Sequence, residues 1–221
     1  GFFKMGMGYW GWLLAIFTIP TIIADKFNIP LVFYAEDGEV EYGGKKESSN
    51  TYLFDANYIK KIYVEDGYEK ILNDKYFQKF NLDFFSFPKF KNDIKLTHWS
   101  YFENWDPYRN YLVAKKNCGL IDSEHNNEGT FTNFAQNDQI LCDLHYYLMY
   151  LKFGFGRSTQ DASIEIRRGA MSRDQAINLV KLFDGKYPES SIMKIINYYG
   201  IKKKDFNENV DKWVNKKLFQ K

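Results

Sequence analysis

Residues 28–44 read NIPLVFYAEDGEVEYGG, and this stretch decides the fold class. Residues 28–34 form a short, continuous apolar run. Such a run suits a strand buried on both faces, as in a parallel sheet. Pro30 sits at its beginning, where a missing N–H costs least. The character then reverses into an acidic, glycine-bearing segment with Glu36, Asp37, Glu39 and Glu41. An apolar helical run precedes the strand, so helix, buried strand and acidic loop form half of an α/β unit. Ligands of such sheets collect beyond the carboxyl ends of the strands. The expected fold class is therefore α/β, with a site candidate at residues 36–41.

The preceding run, residues 5–24, carries no charge. Its length is about the 20 residues of a membrane span. Lys4 and the Trp10/Trp12 pair could serve as interfacial anchors. A buried helix is favoured instead, because Gly6, Gly8 and Gly11 crowd one end, Pro20 lies near the other, and a second apolar segment follows closely. A signal-peptide cleavage pattern is absent.

Working outward, residues 45–56 are polar and aperiodic and read as a loop. Residues 56–90 read as short helical pieces, with Gly67 and Pro88 as breaks. Asp106 followed by Pro107 marks a helix start, and Gly119 a matching stop. The C-terminal third is strongly helical. Ile140, Leu141, Leu144, Leu148 and Leu151 recur at helical spacing, with Tyr147 on the same face. Ser172 and Gln175 have capping-box spacing ahead of Ala176, Ile177, Val180 and Phe183, and Gly185 ends that run. A short helix over 190–199 closes at Gly200, and a last stripe carries Phe206, Val210, Trp213 and Val214. These stripes read as core.

Composition bounds the function classes. At 221 residues the chain makes about one domain or one and a half. It is 45% hydrophobic and 26% charged, which excludes a disordered or collagen-like chain. A net charge of +2 makes no demand for nucleic acid or an acidic membrane surface. Two cysteines, Cys118 and Cys142, cannot build a disulfide framework or a four-thiolate zinc site, so a reducing cytoplasm is expected. The 19% aromatic content accompanies many Lys, Asn and Ile residues, as AT-rich coding DNA produces, and carries no functional weight.

Two segments could carry chemistry. The carboxylates of Glu36, Asp37, Glu39 and Glu41 could hold Mg²⁺ or orient an amine, or form a solvated acidic turn. The second segment is residues 152–161, KFGFGRSTQD. Its glycines permit a tight turn, Ser158 can cap the next helix, and the helix N-terminus favours an anion. Arg157 adds a planar fork for phosphate or carboxylate, or pairs with Asp161 one turn on. His145, in an apolar helix, suits a core or interface position better than a metal site. No metal-ligand spacing, nucleophile elbow or basic run with interleaved aromatics is present.

Three segments together resemble the N-acetyl sugar amidotransferases, a PP-loop ATPase family of surface-polysaccharide and nonulosonic acid pathways. Residues 28–44 are similar to that family's strand and its G-E-N-x-E-x-E-Y-G loop, with Ala35 and Asp37 replacing Gly and Asn. Residues 128–135, EGTFTNFA, followed by His145, Tyr146 and Tyr147, resemble its E-G-T-[YF]-T-N-[YF]-A…H-Y-Y signature. The longest match runs from residue 152 to Ser163 and continues through Ile166, Arg167, Gly169, Arg173, Ala176, Leu179, Val180, Asp184 and Gly185 to Pro188. The family's S-G-G-x-D-S nucleotide loop and its N-terminal cysteine cluster do not occur in the chain.

The resemblance implies the C-terminal part of a PP-loop, adenine nucleotide alpha hydrolase-like, Rossmann-type domain over residues 1–45, and a mainly helical region over 46–221. It implies an ATP- and Mg²⁺-dependent conversion of a sugar acetamido group to acetamidino, in LPS/O-antigen or nonulosonic acid (flagellin glycan) biosynthesis. The amide oxygen is adenylated and ammonia then attacks, so water must be excluded. The partners implied are a sugar or nucleotide-sugar and a separate glutaminase subunit, without nucleic acid or membrane. Glu36, Asp37, Glu39 and Glu41 are expected near the amide and ammonia, or near Mg²⁺. Arg157 and Ser158 are expected to hold a phosphate or sugar carboxylate, so that Arg157→Ala raises a Michaelis constant. His145 and Tyr147 are expected to line the sugar pocket. A degenerate, non-catalytic sugar- or partner-binding module is the alternative.

Overall fold

A computed structural model describes residues 1–36, 52–137 and 139–219. The chain divides into two compact units, one spanning Trp10–Trp105 and the other combining Gly1–Tyr9 with Asp106–Lys221.

The Trp10–Trp105 unit begins with helix α1, Trp10–Lys26. Leu14, Phe17, Thr18, Thr21 and Ala24 are its buried residues, spaced as one helical stripe. Asn28, at φ 55°, turns the chain out of the helix. The uncharged run of residues 5–24 is therefore not one helix, and among the described residues no helix is long and apolar enough to cross a membrane.

Pro20 lies inside α1 and leaves the Ile16 carbonyl without its intrahelical N–H. The Tyr34 hydroxyl donates to that carbonyl at 3.0 Å. The Thr21 hydroxyl likewise donates back to the Phe17 carbonyl at 2.6 Å, so buried hydroxyls on this stripe are satisfied by the helix backbone.

Three short strands follow: β1 (Leu31–Tyr34), β2 (Phe54–Asp55) and β3 (Lys95–His98). Their order is β1-β3-β2. β1 runs parallel to β3, from Leu31 opposite Lys95 to Tyr34 opposite His98, and β2 is antiparallel to β3. The parallel pairing agrees with the apolar run, but burial on both faces does not. β1 is an edge strand whose Leu31 and Phe33 are 42% and 48% exposed. Among the described residues it has one neighbouring strand, β3, and its Tyr34 side packs on α1, through Phe17 at 5.7 Å. The central strand β3 is the buried one, with Leu96, Thr97 and His98 in the core. The sheet joins residues on either side of position 45, all within the Trp10–Trp105 unit.

Residues 56–85 form short helical pieces, as the breaks in the sequence indicate. Glu65, Asp66, Gly67 and Tyr68 all have positive φ, making one left-handed turn. Each non-glycine residue there costs roughly 1–2 kcal/mol. Hydrogen bonds from the Gly67 and Tyr68 amides to the Val64 carbonyl, and an ion pair of Lys60 with Glu69, hold the turn.

The other unit is helical: α2 (Pro107–Cys118), α3 (Leu141–Phe153), α4 (Arg157–Arg167), α5 (Arg173–Phe183), α6 (Glu189–Tyr199) and α7 (Lys203–Trp213). The expected punctuation is present. The Asp106 carboxylate caps α2 by accepting from the Arg109 amide, Gly119 closes it, Ser172 and Gln175 form a reciprocal capping box, and Gly200 closes α6. Leu144 and Leu148 from α3, Ile192, Ile195 and Ile196 from α6, and Phe206 and Val210 from α7 form the core. Burying one such side chain stabilises by roughly 1.5–3 kcal/mol.

The helical turn Phe2–Met5 completes this core. The Phe2 ring stacks between Tyr199 at 5.3 Å and Phe206 at 5.2 Å. The Asn209 amide donates to the Phe2 carbonyl at 2.8 Å. Gly6 has φ 60°, and a Cβ there would stand 2.6 Å from the Trp213 ring, so only glycine fits.

Candidate functional site

In the Trp10–Trp105 unit, Glu36 lies two residues beyond the carboxyl end of β1 and is exposed. Asp37, Glu39 and Glu41 lie outside the described residues. At the ends of the parallel pair, His98 is 3% exposed and its ring lies between Tyr34 at 5.3 Å and Tyr63 at 6.0 Å. Burial, and then the charge of Glu36, push the Tyr34 hydroxyl above its usual range.

In the helical unit the two signature segments meet. Residues 123–135 form a loop braced by its own backbone, with the Ser123 amide donating to the Asn133 carbonyl at 2.9 Å and the Asn127 amide to the Thr132 carbonyl at 2.8 Å. This loop carries Gly129 and Thr130 to the first turn of α4. The Ser158 amide donates to the Gly129 carbonyl at 3.1 Å, and the Thr130 hydroxyl donates to the Asp161 carboxylate. The other oxygen of Asp161 lies 2.8 Å from Arg157 Nε, with both side chains nearly buried. The Arg157 guanidinium stands 5.8 Å from the centre of the Tyr146 ring, and the Tyr146 hydroxyl donates to Gln136 Oε1. Burial pushes the Asp161 carboxyl up, while Arg157 and Thr130 draw it back. A guanidinium does not deprotonate, so Arg157 keeps its charge beside Asp161.

The N-terminus of α4 is filled from within the chain. The Gly156 amide donates to one Asp184 carboxylate oxygen at 2.8 Å and the Thr159 amide to the other at 3.3 Å, with the Thr159 hydroxyl adding a third bond. Asp184 thus occupies the place where an anion was expected, and Arg157 takes the pairing with Asp161 one turn on. Ser158 is not the cap. It is the second residue of the helix, fully buried, and among the described residues its hydroxyl has no hydrogen-bond partner. Gly156 stands at the cap position, where a Cβ would lie 2.7 Å from Asp184 Oδ1. That close approach requires glycine.

His145 and Tyr147, two residues apart on α3, have different surroundings. The His145 ring lies 4.7 Å from Tyr9. Burial, with the charges of Lys152 and Arg157, lowers its pKa to about 4, so it is neutral at pH 7. Tyr147 packs edge-on against Tyr187 at 5.3 Å on the margin of the apolar core. His145 therefore belongs with the Arg157 cluster, and Tyr147 does not.

Sequence reasoning missed three polar residues here. Thr130 bonds Asp161, and Asp184 fills the α4 N-terminus. Asp143, in the first turn of α3, has its pKa raised to about 6, by burial and by Glu128, against a hydrogen bond from Ser191. A carboxyl among the apolar residues 140–151 was the available signal for Asp143. Nothing in the spacing announces Asp184, because its partners lie 25 and 28 residues away.

This constellation orders a loop against a helix and keeps a neutral imidazole beside a buried ion pair. Among the described residues no group of three or more His, Cys, Asp or Glu side chains could hold a metal ion. With Asp184 on the α4 N-terminus, these residues do not build a place for ATP and Mg²⁺.

No curated protein matches the chain. A family match begins at Glu128, inside the 123–135 loop. Residues 128–221 are similar to the family described as LPS biosynthesis protein WbpG-like, C-terminal domain.

Proposed function

We propose that the chain is part of a cytoplasmic, ATP-dependent N-acetyl sugar amidotransferase of LPS biosynthesis. The net change is replacement of the acetamido oxygen by NH, with ammonia supplied by a glutaminase partner. The observation that carries this reading is the convergence of residues 128–135 and 152–163 on one buried network. Both segments fall within the stretch similar to an LPS-biosynthesis domain. In this reading the Thr130, Arg157 and Asp161 network positions the 123–135 loop rather than touching substrate. ATP and Mg²⁺ would be held by residues outside this network.

The test is to incubate the native gene product with a glutaminase, glutamine, ATP, Mg²⁺ and a nucleotide-linked N-acetyl sugar. Product mass spectrometry should show the exchange of O for NH, with sugar-dependent release of pyrophosphate. Neither signal across a panel of N-acetyl sugars would sink the reading. One observation favours a second, non-catalytic reading: Arg157 and the α4 N-terminus are both satisfied by the chain's own carboxylates. Sugar binding without pyrophosphate release would support it.

A further inference from the structure

Two turns of the helical unit carry apolar side chains into water. Gly154, at φ 79°, ends α3 between Phe153 and Phe155, whose rings stand 6.1 Å apart and are 57% and 41% exposed. Leu218, 54% exposed, lies against this turn, since a Cβ on Gly154 would stand 3.1 Å from its Cδ1. The segment that carries Leu218 is tied to the end of α3. The Asn215 amide donates to the Leu151 carbonyl at 2.9 Å, the Asn215 side chain donates to the Lys152 carbonyl at 3.2 Å, and Phe219 packs on Tyr150 at 5.2 Å. Exposed apolar residues are ordinary singly, but these three are contiguous and held in place.

Lysines surround them. Lys152 Nζ stands 5.4 Å from the Phe153 ring and 5.4 Å from the Trp213 ring, and it donates to the Met5 carbonyl at 3.0 Å. Lys212 Nζ lies 5.1 Å from the same indole and donates to the carbonyl of Phe3, itself an exposed ring, at 3.4 Å. Lys216 and Lys217, both exposed, lead into Leu218. The acidic neighbours are engaged elsewhere: Asp184 holds the α4 N-terminus, and Asp211 lies in the field of Tyr147. This face is therefore positive, although the whole chain carries only +2.

That chemistry selects the occupant. Apolar side chains standing on turns can enter a soft apolar phase directly, whereas a protein partner would need a matching pocket for each. Lysine is depleted from protein–protein interfaces. At a membrane its stem lies along apolar surface while the ammonium stays at headgroup level. Phenyl and indole rings beside lysines have the composition of a surface that lies on a bilayer, and the cations select anionic lipid.

We propose that this face docks on an anionic lipid bilayer, with Phe153, Phe155 and Leu218 entering the boundary between headgroups and acyl chains and the lysines meeting lipid phosphates. It is attachment to a surface rather than a span, and it departs from the expectation of a chain without membrane contact. Co-sedimentation of the 221-residue chain with vesicles tests it. Vesicles of phosphatidylcholine and phosphatidylglycerol in equal parts should bind the chain, and binding should fall as salt rises. Phosphatidylcholine alone should bind about 10-fold more weakly or less. Lys216→Gln with Lys217→Gln should weaken binding about 20-fold, roughly 5-fold per lysine. Phe153→Ser with Leu218→Ser should weaken it about 10-fold or more. Both pairs should melt with the parent, because these side chains are more than half exposed or lie on the surface. No binding to the anionic vesicles, equal binding to both compositions, unchanged affinity in both variant pairs, or displacement of the vesicles by a single-stranded polynucleotide would each overturn the assignment. Amidotransferase activity is measured without vesicles, so the two proposals fail separately.

Discussion

The Tyr34 hydroxyl donates to the Ile16 carbonyl, the one acceptor in α1 that Pro20 deprives of its helical donor. A strand residue thereby repairs a defect four residues upstream of a proline in the preceding helix. Tyr34→Phe should cost about 1–3 kcal/mol, the penalty of an unsatisfied buried acceptor. Pro20→Ala restores an N–H at the right position, so the double variant should lose less than Tyr34→Phe alone. Urea unfolding of the four proteins in this cycle reads the difference, and strict additivity would show that the two residues are not linked.

Arg157 and Asp161 form a nearly buried ion pair with Thr130 as a third member. Removing one partner strands a buried charge, so Arg157→Ala should destabilise the helical unit by about 3–5 kcal/mol. The paired substitution Arg157→Met with Asp161→Leu should recover most of that loss, because neither charge is left behind. Denaturation midpoints check both. A stable Arg157→Ala protein with only a raised Michaelis constant would return Arg157 to a substrate-binding role.

His145 and Asp143 set opposing pH dependences. The folded protein holds His145 at about 4 against 6.5 ordinarily, so the unfolded chain binds the extra proton and stability falls as pH drops from 6.5 to 4. It holds Asp143 at about 6 against 3.8, so the folded chain keeps the extra proton and stability falls as pH rises from about 4 to 6. The two trends offset each other between pH 4 and 6. Relative to the parent, His145→Gln should gain stability on acidification through this window, on the order of 2 kcal/mol. Asp143→Asn should gain on alkalinisation instead. Thermal unfolding at pH 4.5 and 6.5 distinguishes the two directions.

Gly156 and Asp184 are matched by contact. Gly156→Ala places a methyl 2.7 Å from the Asp184 carboxylate and should destabilise. Asp184→Ala removes the cap from three donors and should cost about 0.5–2 kcal/mol. Combined, they should cost less than their sum, since the clash disappears with the carboxylate. Melting temperatures of the two single variants and the double variant measure the coupling.

Local signals in the sequence translated directly into structure. Asp106, Pro107 and Gly119 bracket α2, Ser172 and Gln175 cap α5, and Leu144 and Leu148 face the core, because each of these choices is settled within one or two helical turns. The same holds for the parallel pairing of β1. Its one-sided exposure was not legible, because an apolar run does not say how many neighbours a strand acquires. Arg157 was legible as an ion-pair partner of Asp161, four residues on. Asp184, Thr130 and the place of Phe2 were not, because each acts on residues far along the chain, where spacing carries no information.

The seat of Phe2 between Tyr199 and Phe206 fixes an order of events during synthesis. More than two hundred residues separate the first ring from the last helix that holds it, which makes this contact among the most non-local the chain can form. During synthesis the Phe2–Met5 turn cannot take this seat until α7 has emerged. The Trp10–Trp105 unit has by then been released whole and is free to fold first. A recombinant piece cut at residue 106 or 128 would carry α3 to α7 yet leave a ring-sized vacancy in their midst. Supplying the first nine residues as a separate peptide is then a route to complementing it.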